Sequence, residues 1–242
     1  MAEPGTHGTS PLQRHFTEPT TPYWQSIVSA DPLAAPGGPW KFGYPARLPD
    51  GRVLRLPIRQ LGADPTQAVA SLLVNHAAMP VVQTLGEMLA QALEPYKPDL
   101  LVGLPTLGLS LAPIVAAALG HTRFLPMGYS RKFWYDDTLS TPVQSITSPT
   151  PGKRIYLDPN LLPLLAGQRL VIIDDALSTG TTMAAAWDLV TALGGNVVGC
   201  GVAMCQGRRW ADRLGPVRSA SVAKVFDSPL LQAVPDGWVV RA

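Results

Sequence analysis

The segment Leu170-Val171-Ile172-Ile173-Asp174-Asp175-Ala176-Leu177-Ser178-Thr179-Gly180-Thr181-Thr182-Met183 concentrates residue types that can do chemistry. Four consecutive apolar residues read as a central strand buried on both faces. Two adjacent carboxylates emerge at its carboxyl end, where open α/β sheets place ligands. Like charges a few ångströms apart repel, so Asp174 and Asp175 call for hydroxyls or a cation to satisfy them, and a sugar diol is one such partner. Ser178, Thr179, Thr181 and Thr182 then surround Gly180 where a helix is expected to begin. Unpaired amides and the positive end of the helix dipole make that turn an anion site. Diol and phosphate one short turn apart describe a ribose 5-phosphate. The plainer alternative is a strand end followed by a helix cap, but a cap needs one hydroxyl and this glycine-bearing turn supplies several. A Gly-Lys-Ser/Thr phosphate loop is absent, which disfavours nucleoside triphosphate hydrolysis.

The elements that must position these groups follow from periodicity. Leu100 to Val102 reads as a strand, Gly103 to Gly108 as a turn and Leu109 to Leu119 as a helix. Strands are expected at His121–Met127, Arg154–Leu157, Arg169–Ile173 and Val197–Met204. A helix at Thr181–Leu193 turns Met183, Trp187 and Val190 inward and closes at Gly194-Gly195. The fold class expected is α/β, a doubly wound and mostly parallel sheet. Ahead of it, Asp50-Gly51 between two alternating runs signals a hairpin, an antiparallel appendage to the main sheet. Asp64-Pro65 offers a helix start, with a break or restart at Pro80. The polar stretch from Gly128 to Lys153 is too long for an ordinary connection and reads as a lid beside the chemistry.

With those elements in place, residues 170–183 resemble the phosphoribosyl pyrophosphate motif of the type I phosphoribosyltransferases. The order of elements from about Leu100 to Gln206 resembles that family's core. The resemblance implies that Asp174 and Asp175 hold the ribose hydroxyls and serve as the Mg²⁺ site. It implies that Ser178, Thr179, Gly180, Thr181 and Thr182 wrap the 5-phosphate, with Ala176 and Leu177 in the same binding segment. A second turn in the family holds pyrophosphate, and here Pro105, Thr106, Leu107 and Gly108 occupy it. Leu107 stands where many relatives carry Arg or Lys. Read alone, this turn equally suits an ordinary strand-to-helix loop. Arg131 and Lys132 occupy the lid position where adenine-type members carry a basic pair, which implies neutralisation of the leaving group; read alone they form a solvated loop tip. Phe133, Trp134 and Tyr135 either stack on a base, seal the lid or pack on a partner subunit, and Asp136 and Asp137 either meet Mg²⁺ or face solvent. Ser178 replaces the Asp that 6-oxopurine members use for proton transfer, so a purine such as adenine is the expected acceptor. A regulatory protein that only binds the donor is the alternative. The base-reading hood would come from about residues 23–62 and 216–242, with Trp24, Trp40, Tyr44 and Trp238 either reading the base or filling its core, around a core of about 64–215. The family also implies a homodimer.

Composition narrows the remaining classes. The net charge of +2 with scattered basic residues gives no support for nucleic-acid binding. No apolar run reaches the roughly 20 residues of a membrane span, and the N-terminus lacks a signal-peptide pattern, so a cytoplasmic protein is expected. Residues 1–22, rich in Pro, Thr and Gly, are expected to form a disordered arm. Cys200 and Cys205 are five apart in one strand, on opposite faces by parity, and read as buried free thiols.

Overall fold

A computed structural model describes residues 22–29, 37–62, 64–143 and 152–241. The expected arm, apart from Pro22, lies outside the described residues, as do positions 144–151 of the polar stretch. Strands β1 (Ile27–Val28) and β2 (Gly43–Arg47) both pair antiparallel with β3 (Val53–Gln60). The Asp50-Gly51 turn connects β2 to β3, with the Leu48 amide donating to the Arg52 carbonyl at 2.8 Å.

Asp64-Pro65 does not start a helix. Asp64 Oδ1 accepts from the Thr66 amide at 2.8 Å and from Thr66 Oγ1 at 2.6 Å, which closes a turn. Strand β4 (Gln67–Ala70) follows, antiparallel to β3, with Ala68 and Ala70 fully buried. Alternation outweighed the capping signal because a neighbouring strand was available to bury one face. Helix α1 (Met79–Leu93) carries Pro80 in its first turn, where no amide is needed, and buries Val81, Val82, Leu85, Leu89 and Leu93 along one side.

The remaining order is β5 (Leu100–Gly103), α2 (Gly108–Ala118), β6 (Leu125–Pro126), β7 (Ser140–Pro142), β8 (Arg154–Tyr156), β9 (Arg169–Leu177), α3 (Thr181–Ala192), β10 (Asn196–Gln206), α4 (Arg209–Ser219), β11 (Val222–Ser228), β12 (Leu230–Val234) and β13 (Gly237–Val240). Strands β11-β10-β9-β5-β6 form one sheet with every pairing parallel. Val171 and Ile173 of β9 pack into the apolar cluster of α1 and α2, while Leu170 and Ile172 pack into that of α3. The central strand is thus covered on both faces, as its unbroken apolar run requires.

Two boundaries move. The strand expected at His121–Met127 contracts to β6, and β8 pairs with β7 in a separate two-stranded ladder instead of the main sheet. The hood is a six-stranded antiparallel sheet of β1 to β4 with β12 and β13. Its edges differ from those read in sequence, since β4 joins the hood and β11 joins the parallel sheet. Trp40 and Trp238 pack with Ile58, Ala68 and Leu231 in the hood's own cluster. Cys200 and Cys205 are free and fully buried as expected, but both reach the same apolar cluster, so parity did not separate them. Among the described residues no helix is long and apolar enough to cross a membrane.

Candidate active site

The carboxyl ends of β5, β9 and β10 all open on one cavity of about 340 Å³, and the hood forms its opposite wall. Strand β9 runs on through Asp174 and Asp175 to Leu177, so the acid pair belongs to the strand itself. Asp175 is 7% exposed. The Asp175 amide donates to Asp174 Oδ1 at 2.9 Å, and the Gly108 amide also hydrogen-bonds to Asp174. Burial drives both carboxyls above the ordinary range, and at Asp174 the neighbouring Asp175 charge adds to it. The pair is therefore a high-energy feature until a hydroxyl or cation meets it.

The turn after β9 is shaped by Gly180, whose φ of 77° lies in the left-handed region. It is the residue before α3, and no side chain caps that helix. The first-turn amides of α3 therefore face the cavity beside Ser178, Thr179, Thr181 and Thr182, all of which line it. Trp210 of α4 presses on the turn from outside, its Cα and carbonyl oxygen each 3.1 Å from where a Cβ on Gly180 would stand.

Ala176, Leu177, Pro105, Thr106 and Leu107 line the same cavity, and Gly108 supports Asp174 from behind. Arg131 and Lys132 are not among the lining residues. Arg131 Nε pairs with Asp137 Oδ1 at 2.7 Å on the exposed lid surface. An arginine six residues from an aspartate in a polar loop found a local partner. Of the lid aromatics, Phe133 is 93% exposed, and Trp134 donates to Asp158 Oδ2 at 3.2 Å. Trp24, Trp40 and Trp238 are buried in the apolar clusters and do not line the cavity.

The lid reaches the cavity through other residues. Tyr129 and Lys153 both line it, with Lys153 Nζ 3.7 Å from the centre of the Tyr129 ring. Tyr129 shares the cavity with Asp174 and Asp175, and burial, followed by their charges, pushes its phenol up to about 12. Arg209 at the start of α4 and Arg241 near the end of β13 supply two further cations. Sequence reasoning missed all of these. For Arg209 a signal existed, because ligands gather at the carboxyl ends of parallel strands and β10 ends at Gln206.

Gln206 joins core to hood. Its Oε1 accepts from Ser178 Oγ at 3.2 Å and its Nε2 donates to the Ala70 carbonyl at 3.0 Å. Ser228 Oγ at the end of β11 donates to the same carbonyl at 3.4 Å.

A strand-end acid pair, a hydroxyl-rich turn at a helix start and a facing apolar wall thus share one cavity, which offers hydrogen-bond acceptors, an anion-binding turn and an apolar surface side by side. The model of the phosphoribosyl transferase domain matches residues 75–229. The chain belongs to that family of pentosyl-transferring enzymes. It is 37% identical over 131 residues to an adenine phosphoribosyltransferase of Oenococcus oeni, covering 52% of this chain and 70% of the relative. It is 29% identical over 162 residues to a xanthine phosphoribosyltransferase of Chloroflexus aurantiacus, covering 64% of this chain and 75% of the relative. The curated relatives it matches first are spanned over 61% to 75% of their length. Among solved structures, an adenine phosphoribosyltransferase of Saccharomyces cerevisiae, complexed with an imino-altritol bisphosphate and adenine, superposes with a TM-score of 0.53 at 21% identity. That match covers 71% of this chain and 94% of the yeast chain, and supports the fold.

Proposed function

We propose that this phosphoribosyl transferase moves the 5-phosphoribosyl group of phosphoribosyl pyrophosphate onto a ring nitrogen of a purine base, releasing pyrophosphate, with Mg²⁺ as cofactor. One observation carries the reading: Asp174, Asp175 and the Ser178–Thr182 turn open on a single cavity whose far wall is the apolar hood face of Leu61, Val69, Leu72, Leu73 and Leu230. The carboxylates accept from the ribose hydroxyls, and the turn donates to the 5-phosphate. The apolar wall covers a base plane.

Loss of pyrophosphate from the sugar leaves an oxocarbenium-like centre, so stabilising the leaving group and excluding water dominate the chemistry. Leu107 brings no charge to the pyrophosphate turn, and of the three cations that line the cavity, Lys153, Arg209 and Arg241, we assign the leaving group to Lys153 of the lid, which lies over Tyr129. The acid pair offers the hard oxygen ligands that suit Mg²⁺, which when bound neutralises charge on the donor. Among the described residues no group of three or more His, Cys, Asp or Glu could hold a metal, so substrate and water would complete its shell.

The test is incubation with phosphoribosyl pyrophosphate, Mg²⁺ and a panel of purines and pyrimidines. A nucleotide and pyrophosphate are expected. Donor binding without product from any base would favour a regulatory, donor-sensing role, to which the uncharged Leu107 turn also points.

A further inference from the structure

Of the three cations that line the cavity, two have a contact within the protein. Lys153 lies over the Tyr129 ring, and the Arg241 guanidinium donates to Gln67 Oε1 in the hood. Arg209 has no hydrogen bond or ion pair among the described residues, and so is not the counter-ion of Asp174 or Asp175.

The Arg209 backbone, in contrast, is fixed. Arg209 opens α4, and the indole of the next residue, Trp210, donates to the Gly207 carbonyl at 3.0 Å and packs against the apolar cluster that also holds Met183 and Trp187 of α3. The Trp210 Cα and carbonyl oxygen are the atoms that press on the Gly180 turn, each 3.1 Å from its Cβ position. One peptide earlier, the Arg209 Cα lies about 3.8 Å from that of Trp210. The Arg209 side chain therefore starts beside the Ser178–Thr182 turn and enters the cavity that the turn lines. Its neighbour Arg208 is exposed and does not line the cavity.

The turn itself has no formal charge. Ser178, Thr179, Thr181 and Thr182 bring hydroxyls, and the first amides of α3 bring the partial charge of a helix start. A phosphate monoester carries about −1.5 to −2 charge near neutral pH. Neutral donors leave much of that uncompensated in a cavity that also holds two carboxyls, and a guanidinium fork matches phosphate oxygens two at a time.

Building on the transfer reading above, we infer that Arg209 is a further donor-binding residue, its guanidinium pairing with the 5-phosphate that the Ser178–Thr182 turn holds and selecting the phosphorylated sugar. The turn supplies the shape of the phosphate site and Arg209 supplies its charge.

Calorimetry with Mg²⁺ tests this, with ribose 5-phosphate and pyrophosphate as separate ligands of the full chain, Arg209→Gln and Arg209→Lys. Arg209→Gln is expected to weaken ribose 5-phosphate about tenfold to a hundredfold and pyrophosphate by less than about threefold. Arg209→Lys should fall between, because the charge remains and the fork is lost. Ribose 5-phosphate affinity should fall with added salt, and less steeply in Arg209→Gln, a change that a merely structural role would not produce. Both ligands are read on one sample, so the ratio of their affinities is insensitive to the fraction of protein folded. Unchanged ribose 5-phosphate affinity in Arg209→Gln, or equal losses for the two ligands, would overturn the inference while leaving the transfer reading intact. A native chain that bound neither ligand nor phosphoribosyl pyrophosphate would overturn both.

Discussion

Gly108 lies against Asp174 so closely that a Cβ at position 108 would stand 2.8 Å from the Asp174 Cα and 2.6 Å from the Ile173 carbonyl oxygen. The turn expected to hold pyrophosphate and the strand end expected to hold ribose are thus in direct backbone contact. Gly108→Ala must push them apart. A stability loss of about 1–3 kcal/mol is expected from the overlap, with weaker donor binding in calorimetry. An unchanged melting temperature together with unchanged affinity would show that the two turns are not coupled.

The acid pair destabilises the free protein. Its carboxyls hold protons in the folded state at pH values where the unfolded chain has released them. Stability therefore falls as pH rises from the ordinary carboxylate range through the raised one, and the penalty is complete above it. Asp174→Asn should raise the melting temperature near neutral pH and flatten that slope, while abolishing Mg²⁺-dependent donor binding. A lower melting temperature across the whole pH range would refute the charge argument.

Donor affinity should carry the same signature. Ribose hydroxyls and Mg²⁺ meet the ionised pair, so binding is expected to tighten as pH rises through the raised range, with protons released. Calorimetry in two buffers of different ionisation enthalpy measures that release, and proton uptake would contradict it.

Gly180→Ala meets both a left-handed φ and the Trp210 backbone. A cost of about 1–3 kcal/mol is expected, with loss of affinity for ribose 5-phosphate exceeding any loss for pyrophosphate. Equal losses for the two ligands would place the phosphate elsewhere.

Two of the lid cations should separate in kinetics. Lys153→Gln is expected to raise KM for the donor about tenfold, as for one lost charge-assisted contact. Arg131→Ala removes an exposed pair with Asp137 and should change kcat/KM by less than about threefold. The reverse ranking would return the leaving-group role to the Arg131-Lys132 pair.

What could be read in advance was local. The four apolar residues of β9, the acids that end them and the glycine turn before α3 lie within one short segment, so type and spacing were enough. Arg241 could not be found that way, because it meets Gln67 across 174 positions of chain, and the pairing of β13 with β12 and of β12 with β4 brings them together. Asp64-Pro65 misled because capping chemistry also closes a turn into a strand. The tryptophans looked like base readers by composition, but the hood is a small sheet, and Trp40 and Trp238 are needed to give it an interior.

The Ala70 carbonyl is where hood and core meet, receiving Gln206 from β10 and Ser228 from β11. Two strands of the parallel sheet therefore gauge the slot at one atom, like the fixed jaw of a calliper. Swinging the hood outward to admit a bulkier heterocycle would break both of those hydrogen bonds. Exchanging one lining side chain for another changes the fit of the slot without that cost.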